Sequence, residues 1–224
     1  MEQMFSELTA WEQQRLGKFT SSEIHKLMQS GRSKSDYFGK GAMTYIKSKV
    51  AELITGERTP DVSSNAIEYG RSLEPEAFEV FNRERPDLEA VHFGISVPKF
   101  YPFGDFAGGS PDGETCDNGI IEIKCPYNST NHIEHLLLRS TEDLKDYSPE
   151  YYYQVQANML FTGSDVAYFI SYDPRVINYK ERVKILQVQP NTDDQNEIAE
   201  RIKKAAEVMS DILRRIGIIQ DVTI

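Results

Sequence analysis

Asp112, Glu122 and Lys124 bring two acids and a lysine together in the middle of the chain. Glu122 and Lys124 belong to a run of β-branched residues that predicts a buried strand over residues 120–125. Because side chains alternate across a strand, the two charged side chains share one face while the neighbouring isoleucines point into the core. A charge placed there is costly unless it is paired or holds a metal ion. We therefore expect the turn at Asp112 to set its carboxylate beside Glu122.

This combination predicts a magnesium site. Two carboxylates and a backbone carbonyl, that of Ile123, are hard oxygen ligands, and Mg²⁺ keeps several waters beside them. A cation held in this way polarises a phosphodiester and makes water a better nucleophile. Neighbouring carboxylates favour the ammonium form of Lys124, so we expect the lysine to orient water and stabilise charge rather than accept a proton. The alternative is an Asp-Gly turn on a surface hairpin with an incidental Glu–Lys pair.

The same residues resemble the core motif of the PD-(D/E)XK nucleases. The wider pattern, over about residues 11 to 216, resembles the phage lambda exonuclease group, also called YqaJ-type viral recombinase nucleases. The similar segments are Trp11 with Arg15-Leu16-Gly17, residues 20–25, residues 70–74 with Ala77, residues 110–113, residues 122–126, residues 153–156 and residues 172–175. Several motifs in the same order are far more specific than any one of them.

The resemblance implies roles for further residues. Asp112 and Glu122 would bind metal, with Glu74 as an additional acid near a second ion. Lys124 would be the catalytic lysine, and Gln154 would help to hold the reacting strand. The implied cofactor is Mg²⁺, as two ions, with Mn²⁺ as a substitute.

A phosphate pocket is also implied by the resemblance. Arg15, Ser22 and Ser110 would hold the 5′-terminal phosphate of the DNA. A guanidinium gives a phosphate two parallel donors, and hydroxyl groups add neutral ones. An end held in this way makes cleavage proceed one nucleotide at a time.

The expected function is a 5′→3′ exonuclease that degrades one strand of linear double-stranded DNA in phage-type recombination. It would leave a 3′ single strand for a single-strand annealing protein, and the family implies a trimeric ring around the DNA. One alternative is an endonuclease, restriction-like or structure-selective, which would cut closed circles and ignore a 5′-phosphate. Another is a non-catalytic DNA-end-binding scaffold, in which loss of one of the acids or of the lysine would be expected.

The charge distribution bears on the DNA partner. The net charge of −10 argues against nucleic-acid binding, but residues 1–50 carry +3 and the remainder −13. The basic residues that we expect on one face are Arg15, Lys18, Lys26, Arg32, Lys34, Lys40, Lys47 and Lys49. Solvated lysines on a helical region are the alternative. With two cysteines and no apparent signal peptide or membrane span, we expect a cytoplasmic protein of a phage-infected or prophage-bearing bacterium.

The predicted fold is α/β (α+β), a restriction-endonuclease-like core in which helices flank a mixed central β-sheet. We expect a single domain over residues 1–224, with a mainly helical part (1–60), a catalytic core (61–192) and a C-terminal helix and tail (193–224). The predicted helices cover residues 7–29 with a break near Gly17, 42–55, 64–83, 150–161 and 198–216. The predicted strands cover residues 90–97, 104–108, 120–125, 166–172 and 183–188.

Two smaller predictions concern single positions. Pro75 lacks an N–H and clashes with the preceding turn, which favours a kink or a helix start near Ser72. His132 and His135 lie three residues apart with no partner ligands nearby in the sequence, and we interpret them as ordinary polar residues.

Overall fold

The sheets hold the centre of the molecule. The computed structural model describes residues 9–31, 36–59, 65–94 and 98–218. The strands found there are β1 (Phe19–Thr20), β2 (Val91–His92), β3 (Tyr101–Phe103), β4 (Ala107–Gly109), β5 (Gly113–Thr115), β6 (Gly119–Lys124), β7 (Val166–Tyr172) and β8 (Val183–Val188). Five of them form a mixed sheet in the order β2-β5-β6-β7-β8, and the others form a smaller sheet, β1-β4-β3. Strands β6 and β7 are parallel, whereas β5 and β8 pair antiparallel to them.

Helices cover both faces of the larger sheet. They are α1 (Ala10–Arg15), α2 (Lys40–Thr55), α3 (Asn65–Glu84), α4 (Ser129–Leu137), α5 (Thr141–Tyr147), α6 (Pro149–Thr162) and α7 (Thr192–Arg215). Local sequence signals set the limits of α6: the Ser148 side chain caps its first turn, Pro149 opens it, and Gly163 ends it with a φ of 71°. The predicted mixed sheet flanked by helices is confirmed.

Strand β6 divides its side chains between two layers. Ile121 and Ile123 pack with α3 and with the same face of β7 in one hydrophobic cluster. Ile120 packs on the opposite face with residues of α5 and α6. Because side chains alternate, Glu122 and Lys124 also point towards α6. The strand therefore buries its isoleucines on both faces and directs its charged pair at one helix.

Helix α3 departs from the prediction at its proline. It runs from Asn65 to Glu84 with Pro75 inside it, so the predicted helix start near Ser72 is wrong, and the kink given as the other outcome stays a prediction. The apolar residues that follow the proline, Ala77, Phe78 and Phe81, are buried against the sheet. Tertiary packing of this amphipathic face compensates for the hydrogen bond that the proline removes. The uninterrupted helix keeps Glu74 in line with its buried face.

The predicted helix over residues 7–29 is wrong in its second half. After the short α1, residues 19 and 20 form a strand parallel to β4, and a 3-10 helix follows over Ser21–Lys26. The predicted strand over residues 104–108 is replaced by the hairpin of β3 and β4. The predicted strand over residues 90–97 is described only as Val91–His92, and residues 95–97 lie outside the described part.

Other predicted elements are confirmed. Strands β7 and β8 have the predicted bounds, and α2 ends at Gly56, which adopts a φ of 70°. The predicted C-terminal helix is confirmed as α7, whose buried residues include Ile198, Ile202, Ala205 and Met209. None of the described helices is both long and apolar enough to span a membrane.

Candidate active site

Glu122 lies at the centre of the site. It is 2% exposed, and its Oε1 accepts hydrogen bonds from Lys124 Nζ at 2.8 Å and from Gln154 Nε2 at 2.6 Å. Lys124 Nζ also donates to Gln154 Oε1 at 3.1 Å. The three side chains thus form a closed triangle, in which the amide of α6 contacts both charged groups of β6. The predicted residues Glu122, Lys124 and Gln154 are brought together.

Asn158 completes the environment of Glu122. Its Nδ2 donates to Glu122 Oε2 at 3.1 Å, and the side chain is fully buried. It stands one helical turn after Gln154, so both amides project from the same face of α6. The sequence interpretation missed Asn158, although its spacing of four from Gln154 was a usable signal. Each oxygen of Glu122 therefore accepts an amide hydrogen bond.

Asp112 approaches β6 from the end of β5. Its backbone N–H donates to Ile121 O at 2.9 Å, and its Oδ2 accepts from Ile123 N–H at 2.6 Å. In an extended strand the N–H and C=O of one residue point to the same side. The Ile123 carbonyl therefore lies on the side of the strand where Asp112 sits, as a ligand role for both would require.

The carboxylates repel one another in a buried environment. Burial raises the pKa of Asp112 well above its usual range, and Glu122 and Glu74 raise it further. Burial also raises the pKa of Glu122, against the opposing effect of Lys124. Burial alone would lower the pKa of Lys124, but Glu122 and Asp112 outweigh it and raise that pKa. Lys124 is therefore held as an ammonium ion, as expected from the sequence.

Glu74 has a hydrogen-bonding partner that the other acids do not share. Its Oε1 lies 3.0 Å from His92 Nε2, and the His92 ring stacks on Phe78 at a centroid distance of 4.8 Å. Glu74 and Asp112 line a cleft of about 700 Å³, together with Arg71 and Ser110. The predicted acid therefore faces the same open space as Asp112. His92 was not recognised from the sequence.

The donor set fits a hard divalent cation. In the part of the chain that the structure describes, no three His, Cys, Asp or Glu side chains converge as ligands of one ion. Mg²⁺ does not need three, because it is bound by one or two carboxylates and retains water. Asp112, Glu122 and the Ile123 carbonyl provide such a set, and a cation there would offset the burial and the repulsion that raise the Asp112 pKa. The role of Glu74 at a second ion stays a prediction.

Two of the three predicted phosphate ligands are in contact. Arg15 Nη1 lies 3.5 Å from Ser110 Oγ, and Trp11 Nε1 donates to the same oxygen at 3.0 Å. Ser22 lies in the 3-10 helix, where its Oγ is 3.3 Å from Thr20 Oγ1. The pairing of Arg15 with Ser110 suits an anion, and the participation of Ser22 stays a prediction.

His132 and His135, interpreted from the sequence as ordinary polar residues, are both buried, which that interpretation did not anticipate. Their Nδ1 atoms lie 2.8 Å and 2.7 Å from Ser171 Oγ, and His132 Nε2 lies 2.8 Å from Glu181 O. Burial lowers the pKa of His135 to about 4, with smaller effects from His132 and Lys124. Both contact Ser171 of β7, a partner that sequence spacing does not reveal.

One of the residues predicted on the basic face does not belong to it. Lys49 is buried and bonded to Glu52 at 2.8 Å, so it does not belong to that face, and Arg32 and Lys34 lie outside the described residues. A groove of about 780 Å³ is lined by Lys26 and Lys40 among others, and Arg58 borders both this groove and the acidic cleft. Basic side chains therefore extend from the edge of the cleft.

Comparison with known families agrees with this site. Residues 10–165 match the YqaJ-like viral recombinase domain, a span that contains Asp112, Glu122, Lys124, Gln154 and Asn158. The chain belongs to this family. The resemblance to YqaJ-type viral recombinases is thus confirmed. No curated protein sequence gives a match to the chain.

Three solved structures of similar fold carry exonuclease names. An alkaline exonuclease, LHK-Exo from Laribacter hongkongensis, is 26% identical to this YqaJ-like chain; its TM-score is 0.70, and 90% of this chain and 92% of that one are covered. LHK-Exo in complex with dAMP gives a TM-score of 0.71 at 26% identity, with 92% and 97% covered. A phage-related exonuclease from Haemophilus somnus 129PT is 16% identical, with a TM-score of 0.71 over 89% and 96%, and shares the fold.

Proposed function

We propose that this YqaJ-like protein is a magnesium-dependent 5′→3′ exonuclease that digests one strand of linear double-stranded DNA. The observation that carries the proposal is the convergence of Asp112, Glu122 and Lys124 beside the amide of Gln154. The exonuclease names of the similar structures support the same activity. The basic side chains near the cleft support a polyanionic substrate.

Asp112, Glu122 and the Ile123 carbonyl would hold Mg²⁺, with Glu74 near a second ion and Mn²⁺ as a substitute. Bound Mg²⁺ supplies electrostatic stabilisation of the reacting phosphate and a more acidic water. Lys124, as an ammonium ion, donates hydrogen bonds to the attacking water or to phosphate oxygens on which negative charge develops. Gln154 fixes the relative positions of the Lys124 and Glu122 side chains, because its amide bonds to both.

Arg15, Ser22 and Ser110 would bind the 5′-phosphate of the digested strand. The contact between Arg15 and Ser110 supports this role, because a guanidinium and a hydroxyl are suitable phosphate donors. A 5′-phosphate bound in this pocket would place the next phosphodiester beside Asp112 and Glu122. Digestion from the 5′ end leaves a 3′ single strand, the substrate of an annealing protein in phage-type recombination.

The test is digestion of 3′-labelled linear duplexes that carry either a 5′-phosphate or a 5′-hydroxyl, beside a closed circular duplex. We expect faster loss of the phosphorylated duplex, survival of the circle, and no reaction with a chelator. Cutting of the circle would replace the proposal with an endonuclease. No cleavage in Mg²⁺ or Mn²⁺ would replace it with a DNA-end-binding scaffold.

We also propose the trimeric assembly that the family resemblance implies. Light scattering would then give a mass near three times that of the 25.6-kDa chain. A monomeric mass at micromolar concentration would contradict the trimer without affecting the proposed chemistry.

A further inference from the structure

Trp11 connects the two side chains that would bind the terminal phosphate. Its indole N–H donates to Ser110 Oγ at 3.0 Å, and the Arg15 guanidinium lies 4.3 Å from the centroid of its ring. Trp11 belongs to α1, a short helix with no buried residues, and is half-buried. Its hydrogen bond and its cation–π contacts are with Ser110, Arg15 and Arg58, which is unusual for a tryptophan with only a packing role.

The hydrogen bonds at Ser110 determine what its hydroxyl can do. An indole N–H and a guanidinium N–H are donors only, and a serine oxygen has two acceptor positions. Trp11 Nε1 and Arg15 Nη1 both approach that oxygen, so the hydroxyl hydrogen is left to donate elsewhere. That hydrogen has no acceptor among the residues that the structure describes, and Ser110 lines the acidic cleft. A free donor that faces a cleft suits an anionic ligand.

The Arg15 guanidinium is aligned by the same ring. A cation over an indole face gains electrostatic attraction and loses rotational freedom, so stacking prepares the planar fork for a phosphate. Arg58, whose guanidinium carbon lies 6.0 Å from the same ring centroid, also pairs with Glu12 at 3.7 Å. The guanidinium groups of Arg15 and Arg58 thus both lie near the Trp11 ring.

We propose that Trp11 is the positioning residue that gives the enzyme its preference for a 5′-phosphate. It leaves the Ser110 hydroxyl hydrogen free to donate and holds the Arg15 guanidinium over its ring. This inference rests on the proposed exonuclease function and deepens it, because it assigns end recognition to an indole that itself carries no charge.

The first test compares Trp11→Phe with the wild-type protein on duplexes that carry a 5′-phosphate or a 5′-hydroxyl. Phenylalanine keeps an aromatic face for Arg15 and removes the N–H. We expect the ratio of kcat/KM for the two ends to fall about 3- to 10-fold, the worth of one hydrogen bond, through slower cleavage of the phosphorylated end alone. Equal losses on both substrates, or an unchanged ratio, would overturn the proposal.

Ser110→Ala provides the matched variant. If Trp11 acts through Ser110, Ser110→Ala lowers the ratio by a similar factor, and Trp11→Phe adds nothing in that background. Additive effects of the two substitutions would contradict the proposed path from Trp11 to Ser110. Thermal unfolding of each variant shows whether the fold is retained, and we expect little change because α1 buries no residue.

A binding measurement separates this inference from the catalytic proposal. Trp11 is the only tryptophan in the chain, so its fluorescence reports on the pocket directly. In EDTA, a duplex with a 5′-phosphate should change the emission at lower concentration than the same duplex with a 5′-hydroxyl. This result would support the role of Trp11 even if no cleavage occurred, whereas identical titrations for the two ends would exclude it.

Discussion

The two halves of the proposed site are built in different ways. Around Glu122 the side chains are buried, and both carboxylate oxygens accept hydrogen bonds from groups on β6 and α6. Around Ser110 the contacts come from a six-residue helix that buries none of its side chains. The first region is rigid before any ligand arrives, which suits chemistry at a fixed point. The second is half-open, which suits the repeated capture and release of a DNA end.

The largest effect is expected at the buried region. Replacing Lys124 with Met keeps most of the side-chain volume but removes the ammonium group that contacts Glu122 and Gln154. We expect kcat to fall about 100- to 1,000-fold, the usual cost of losing a donor that stabilises developing charge. The measurement is single-turnover digestion of a 5′-phosphorylated duplex.

Lys99 is the matched control for Lys124. It also pairs with a carboxylate, that of Glu114 at 3.0 Å, but on the surface. Lys99→Met should leave kcat unchanged. A similar loss in both variants would mean that the effect of Lys124→Met is general rather than local.

The second prediction concerns the Asn158 amide, which donates to Oε2 of Glu122. Asn158→Leu has nearly the same shape but cannot donate to Glu122 Oε2, so the carboxylate loses part of its orientation. We expect Mg²⁺ affinity, measured by titration calorimetry, to weaken about 10- to 100-fold, as is typical when a partner of a metal ligand is removed.

Gln156→Leu tests whether this effect is specific to Asn158. Gln156 is a fully buried amide on the same helix, but it bonds to the Gln189 and Asn191 backbones instead. Its replacement should lower stability without changing Mg²⁺ affinity. Equal weakening of Mg²⁺ binding in both variants would show that α6 acts only as packing.

The third prediction tests how much the stability of the protein depends on the neutral form of His135. The pKa of His135 is lowered to about 4 from 6.5 by burial, so the unfolded chain binds this proton first as the pH falls. The stabilisation is therefore complete above about pH 6.5 and is lost between there and pH 4, at a cost of about 3 kcal/mol. Urea unfolding across this range should show the slope, and His135→Gln should remove it. An equal slope in the variant would assign the effect to other groups.

The smallest effect is expected at the open end. Ser22→Ala should lower the preference for a 5′-phosphate by about 2- to 5-fold, as one neutral hydrogen bond on a half-exposed ligand. The measurement is the ratio of kcat/KM for duplexes with a 5′-phosphate and with a 5′-hydroxyl, as in the test of Trp11. If the ratio does not change, Ser22 serves only as a partner of Thr20, and the pocket consists of Arg15 and Ser110.

Local sequence signals predicted the buried region well. The alternation in β6 is a short-range feature that places Glu122 and Lys124 on one face, whereas Gln154 was identified only through the family resemblance. Asn158 was missed because its spacing of four from Gln154 shows a shared helix face but not that this face meets Glu122. The burial of His132 and His135 was missed because their common partner, Ser171, lies on the distant strand β7.

Long-range pairing explains the errors near the N-terminus. Residues 19 and 20 form a strand because they pair with Ala107 and Gly108, far along the chain, and no helix propensity reveals this. The proline in α3 was overestimated because packing of Phe78 and Phe81 compensates for its cost. Propensity was overridden wherever a distant element completed the core.

The contacts of Ser171 have a consequence for the positions of protons. The Glu181 carbonyl only accepts, so His132 carries its hydrogen on Nε2 and presents Nδ1 as the acceptor of the Ser171 hydroxyl. The serine oxygen then accepts from His135, which must carry its hydrogen on Nδ1. Two imidazoles three residues apart are thereby locked in opposite tautomers. Their ring nitrogens should give two distinct patterns of ¹⁵N chemical shift at neutral pH.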